Sequence, residues 1–106
     1  MYEINQLEIP DSFMALYVKP GHDRPSASRQ HISARYELCE DLANQLFELA
    51  RAHHFDQGVA EDVVLRRMHD GLQDPSSGLA ASEAGWVIRR LAELLAWDCP
   101  DLPVLP

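Results

Sequence analysis

The run Ile32-Ser33-Ala34-Arg35-Tyr36-Glu37-Leu38-Cys39-Glu40-Asp41-Leu42-Ala43-Asn44-Gln45-Leu46-Phe47-Glu48-Leu49-Ala50-Arg51-Ala52-His53-His54 decides the fold. On a wheel of 3.6 residues per turn, Ile32, Tyr36, Cys39, Leu42, Ala43, Leu46, Leu49 and Ala50 share one side, and Glu37, Glu40, Asp41, Asn44 and Glu48 share the other. That spacing predicts a long amphipathic helix from Ser26 or Ser28 to about His54. Gly58, just beyond, suits the left-handed residue that closes a helix. With Leu38 and Phe47 at its flanks, the apolar sector spans about half the circumference, wider than a two-helix seam needs. At least two further elements must therefore pack on it.

Those elements are visible on both sides. A helix fits Val59 to Leu72, with Glu61 and Asp62 in its first turn, Val64, Met68 and Leu72 as its inner line, and Gly71 near its close. Residues 73–78 carry Asp, Pro, two Ser and Gly and read as a loop. A further helix begins near Ser82 and reaches about Trp97, with Ala84, Val87, Ile88, Leu91, Leu94 and Leu95 facing the core. Residues 98–106 are too proline-rich for helix and form an extended tail. Upstream, residues 22–25 are a polar connector. A short helix over about residues 11–18, capped by Asp11 or Ser12, stops at Lys19-Pro20-Gly21. Residues 1–9, with Ile4, Leu7 and Ile9, read as extended. Strand alternation and internal repeats are missing from the pattern. The prediction is an all-α fold, a small helical bundle of three main helices plus a short N-terminal helix. One domain spans residues 1–106, and residues 1–25 form its N-terminal segment.

The chain has 106 residues, 17 Asp and Glu against 9 Lys and Arg, and a net charge of −8. A domain of this size can bury a core without disulfides or metal. Nucleic acid and anionic membranes both require a positive footprint, so the acidic balance argues against either as a main partner. The paired arginines Arg66-Arg67 and Arg89-Arg90 could suggest a helix-turn-helix reader of DNA, but flanking acids dilute them. The opening Met-Tyr-Glu-Ile-Asn-Gln-Leu-Glu has acids where a secretory signal carries Lys or Arg, and no run reaches the ~18 apolar residues of a membrane helix. A cytoplasmic location is expected, and Cys39 and Cys99 are expected to be reduced thiols.

The stretches Ile9-Pro10-Asp11-Ser12-Phe13-Met14-Ala15-Leu16-Tyr17, Arg35-Tyr36-Glu37-Leu38-Cys39-Glu40-Asp41-Leu42-Ala43 and Ala84-Gly85-Trp86-Val87-Ile88-Arg89-Arg90-Leu91-Ala92-Glu93-Leu94-Leu95 resemble a group of short proteobacterial proteins labelled "ATPase with chaperone activity". The resemblance spans nearly the whole chain. It implies a bacterial origin and a link to protein handling. A P-loop ATPase, however, needs a glycine-rich turn ending in Lys and Ser or Thr, whose amides and ammonium hold the phosphates. The single lysine, Lys19, is followed by Pro20-Gly21, and none of the five glycines opens such a loop.

No side chains form a catalytic, cofactor or metal motif. Arg35 and His53 border the apolar side of the long helix, so Arg35 either pairs with a carboxylate from a neighbouring helix or grips an acidic partner. His53 and His54 point about 100° apart and cannot ligate one ion from that helix alone. A metal site would need Cys39, His69 or an acid brought in by folding. Glu40-Asp41 reads as solvated face and Glu61-Asp62 as helix-start charge.

Trp86 and Trp97, about three helical turns apart with Arg90 and Glu93 between them, face away from the leucine stripe. Two tryptophans outside the core face need cover, from the N-terminal segment with Phe13, Leu16 and Tyr17, from a second copy, or from another protein. Trp and Arg anchor interfaces. The chain therefore reads as a non-enzymatic interaction module, a small regulatory or adaptor protein binding another protein or itself. Its candidate contact residues are Trp86, Arg90, Trp97, Phe13, Tyr17 and Arg35. The alternative is a small metal- or ligand-binding protein or enzyme built on Cys39, His53 and His69, and the third reading is a DNA-binding regulator.

Overall fold

A computed structural model describes residues 8–103 of the chain. Ile4, Leu7, Val104, Leu105 and Pro106 lie outside the described residues. The fold is all-α, with three main helices and a short N-terminal one: α1 Asp11–Met14, α2 Arg29–Phe55, α3 Glu61–Leu72 and α4 Ala81–Leu95. Single 3-10 turns lie at Ala15–Tyr17 and Pro75–Ser77. Among the described residues no strand forms, and the isolated bridge Val18–Pro25 is the sole extended pairing. The contacts gather into two compact units, Met1–Leu38 and Cys39–Pro106.

In the first unit, α1 is shorter than the apolar run suggests. Its N-cap is Pro10, not Asp11 or Ser12, and the Pro10 carbonyl accepts from the Phe13 and Met14 amides at 2.9 and 3.0 Å. Proline serves there because it needs no amide partner and its φ of −59° is already fixed. The chain tightens to a 3-10 turn after Met14. The buried Phe13 ring stands 5.6 Å from Tyr17 and 5.6 Å from Tyr36, the latter on the first turns of α2. Ser28 caps α2 as its hydroxyl accepts from the His31 amide at 3.1 Å, which fixes the start at Arg29.

In the second unit, the C-terminal part of α2, α3 and α4 share one core. Ala50 of α2, Val64 and Leu65 of α3, and Ile88, Leu91 and Ala92 of α4 are buried together, with Leu46, Phe47, Met68, Leu72, Leu95 and Trp97 packed around them. Each fully buried Leu, Ile or Val contributes about 1.5–3 kcal/mol. Leu102 of the tail also packs on this cluster. Gly58, at φ 72°, closes α2 with its amide donating to the His54 carbonyl at 3.1 Å.

Three boundaries depart from the sequence pattern. α3 begins at Glu61, not Val59, because Val59 packs on the core and its carbonyl accepts from the His54 ring. α4 begins at Ala81, one residue ahead of Ser82. Its free amide end is satisfied by Glu83, whose buried carboxylate accepts from the Ala80 amide at 2.9 Å. The helix ends at Leu95, before Trp97, because Ala96 adopts a left-handed conformation at φ 60°.

Candidate interaction surface

The left-handed Ala96 separates the two tryptophans that a continuous helix would align. The Trp97 amide donates to the Ala92 carbonyl at 2.9 Å and the Ala96 amide to the Glu93 carbonyl at 3.1 Å, a Schellman-type closure. This turn sets the Trp97 ring edge-on to His54, 5.1 Å between centroids, and half-buries it. His54 is itself fixed. Its Nδ1 lies 2.8 Å from the Val59 carbonyl oxygen, which can only accept, so Nδ1 carries the hydrogen and Nε2 faces Glu61 at 3.7 Å. Trp97 therefore serves the joint between the end of α2 and the start of α3. Trp86 is 6% exposed. The six consecutive residues Glu83 to Ile88 are all buried, more than one turn, so the first half of α4 is enclosed on every side.

Arg90 is engaged within the second unit. Its Nε donates to Glu40 Oε1 at 2.9 Å, its Nη2 to Glu40 Oε2 at 2.9 Å, and its Nη1 to Glu93 Oε1 at 3.1 Å. The bond to Glu40 raises the guanidinium pKa further above its ordinary value. Glu40, read from the sequence as part of a solvated face, is instead the acid that ties α2 to α4. Of the other candidate residues, Phe13 is buried, while Tyr17 and Arg35 are half-buried in the first unit. Tyr17 stands 6.1 Å from His31, edge-on. The structure thus groups Phe13 with Tyr17 and distributes Trp86, Arg90 and Trp97 among separate packing roles.

The alternative constellation is likewise spread out. Cys39 is buried and Cys99 exposed, both as free thiols. Burial raises the Cys99 thiol pKa, and its Sγ donates to the Pro100 carbonyl at 3.5 Å. His69 is buried on α3, 3.4 Å from the Gln73 side-chain nitrogen. Burial pushes its imidazole below the ordinary 6.5, with Asp70 acting against that shift and Arg89 with it. Among the described residues no group of three or more His, Cys, Asp and Glu is placed to hold a metal ion. No helix among them is long and apolar enough to cross a membrane.

An open apolar surface lies between α2 and α3. A groove of about 200 Å³ is lined by Leu49, His53, Val59, Val64, Arg67 and Met68. Leu49 and His53 are one turn apart on α2, and Val64, Arg67 and Met68 sit at the matching spacing on α3. The Gly58 turn brings Val59 between them. Leu49, which the helical wheel places on the core side, is 50% exposed, because the shared core centres on Ala50 and leaves position 49 at the sector's edge. His53 Nδ1 lies 3.1 Å from the Gln57 amide oxygen. On the opposite flank of α2, the Arg51 guanidinium sits 5.7 Å from the Phe47 ring and 5.8 Å from the Phe55 ring, and Phe55 is 66% exposed.

Sequence reasoning missed Leu49, Val59 and Arg67 as a group. The signal was present in part: an i, i+4 pair, Leu49 and His53, lies at the sector edge immediately before a helix-closing glycine. No family of known proteins, no curated protein and no solved structure matches the chain.

Proposed function

We propose that this chain is a non-enzymatic protein-interaction module whose docking site is the groove between α2 and α3. One observation carries the reading: a concave, largely apolar groove with the half-exposed Leu49 in its lining. Its volume decides between two kinds of occupant. Small-molecule and cofactor sites are about 300–1,000 Å³. At about 200 Å³ the groove is undersized for these and suits one apolar side chain projecting from a protein partner. Covering the exposed half of Leu49 is worth roughly 1 kcal/mol, enough for an anchor but not for a permanent assembly.

The resemblance to proteins labelled "ATPase with chaperone activity" supports a role in protein handling in a bacterial cytoplasm. The chain contributes recognition there and not nucleotide hydrolysis, since it has no phosphate-binding lysine loop. The partner-binding role assigned from sequence to Trp86, Arg90 and Trp97 passes to the groove, because those side chains are committed to internal contacts.

The test is an affinity capture with the wild-type chain and the variant Leu49→Asp. Leu49 is half-exposed, so the charge is tolerated by the fold and helical circular dichroism is retained. The captured partner should fall about fivefold from the lost apolar cover of about 1 kcal/mol, and further because docking would desolvate the aspartate carboxylate. Equal capture by both proteins would exclude the groove as the docking site.

A further inference from the structure

We infer that the groove's occupant is an acidic peptide segment that presents one aliphatic or aromatic side chain beside a carboxylate. This rests on the docking reading above and adds the chemistry of the partner. The floor of Leu49, Val59, Val64 and Met68 takes the apolar side chain. The rim supplies the polar recognition. Arg67 lines the groove, is exposed, and makes no ion pair among the described residues. Three other arginines, by contrast, are engaged. Arg66 donates to Asp62 at 2.8 Å, Arg90 is held by Glu40 and Glu93, and Arg51 lies between two phenyl rings.

An unpaired guanidinium beside an apolar hollow is complementary to a carboxylate, which it binds through two parallel N–H···O bonds. Asp70, three residues on along α3, does not take that place. The net charge of −8 does not oppose this contact decisively, because charges are screened beyond about 8 Å at physiological salt. His53 distinguishes a peptide from a simple apolar carboxylate. In the tautomer whose Nδ1 donates to the Gln57 oxygen, Nε2 is the acceptor. A peptide backbone offers N–H donors to such an atom, and a fatty carboxylate offers none.

The experiment selects a random peptide display library against the full chain, in parallel with Leu49→Asp and Arg67→Glu. Wild-type selections should yield peptides with an apolar residue next to Asp or Glu. A synthetic copy should shift the backbone amide NMR signals of Leu49, Val59, Arg67 and Met68. Arg67→Glu should weaken that peptide about tenfold or more, the loss of one charge-assisted pair. Peptides that depend on Leu49 but carry no acid and ignore Arg67→Glu would overturn this inference and leave the docking reading standing. Failure to enrich any Leu49-dependent peptide would overturn both. Self-association of the wild-type chain in sedimentation, abolished by Leu49→Asp, would overturn the inference in favour of a second copy.

Discussion

Replacing Ala96 by glycine should make the protein more stable, although alanine is the better helix former. Ala96 is the single non-glycine residue at positive φ among those described, at φ 60° and ψ 38°. There the Cβ crowds the backbone, and the left-handed conformation costs an L-residue about 1–2 kcal/mol. Glycine avoids that crowding but loses about 0.5–1 kcal/mol more backbone entropy on folding than alanine. The difference favours Ala96→Gly by about 0.5–1 kcal/mol. For a chain of this size that is a rise in Tm of roughly 2–8 °C. Ala96→Val should move the other way, because a β-branched side chain is poorer still in this region. Thermal melts followed by far-UV circular dichroism measure both, and the near-UV tryptophan bands report whether Trp97 keeps its place against His54. A lower or unchanged Tm for Ala96→Gly, or a valine variant as stable as the wild type, would refute the strained-turn account of the α4 terminus.

Two other predictions follow from the interior. Glu40 and Arg90 are each about a quarter to a third exposed, so a double-mutant cycle of Glu40→Gln and Arg90→Met should give a coupling near 1 kcal/mol; strictly additive single effects would deny the tie between α2 and α4. His69 is held below its ordinary 6.5 in the folded state, so the native protein binds fewer protons than the unfolded chain. The stability it confers is complete above pH 6.5 and is lost as the pH falls through the folded-state value. Urea melts at neutral and mildly acidic pH should show that decline, and His69→Leu should flatten it; an unchanged slope would assign the pH dependence elsewhere.

The long helix was legible because two independent signals agree there: a sustained apolar sector, and end signals at Ser28 and Gly58 that the structure uses as a cap and a closing turn. The end of α4 was not. Alanine and tryptophan continue the helical pattern past Leu95, and what stops it is tertiary: the Trp97 ring gains a place on the core and against His54 by leaving the helix axis. The start of α4 was legible to within one residue of Ser82. Ser82 is a good cap by type, but Glu83 reaches back to the Ala80 amide and moves the boundary. The pairing of Arg90 with Glu40 joins residues fifty positions apart and depends on the relative rotation of two helices, which no periodicity encodes.

These tertiary commitments also bear on the proposed docking site. Interfaces draw most of their energy from Trp, Tyr and Arg side chains that are free to enter a partner's pocket. Here Trp86 is enclosed, Trp97 braces the α2–α3 joint and Arg90 is hydrogen-bonded to both Glu40 and Glu93. Removing any of them from its place would expose an apolar ring or leave a carboxylate unpaired, at a cost comparable to what docking would return. The groove carries no such cost, since Leu49 and Arg67 already stand open to solvent. On the proposed docking reading, aliphatic anchors and a single charge imply the affinity of a transient contact. A module of the proposed kind, engaging and releasing partners, would be served by that weakness, with the core behind the groove keeping the site formed between encounters.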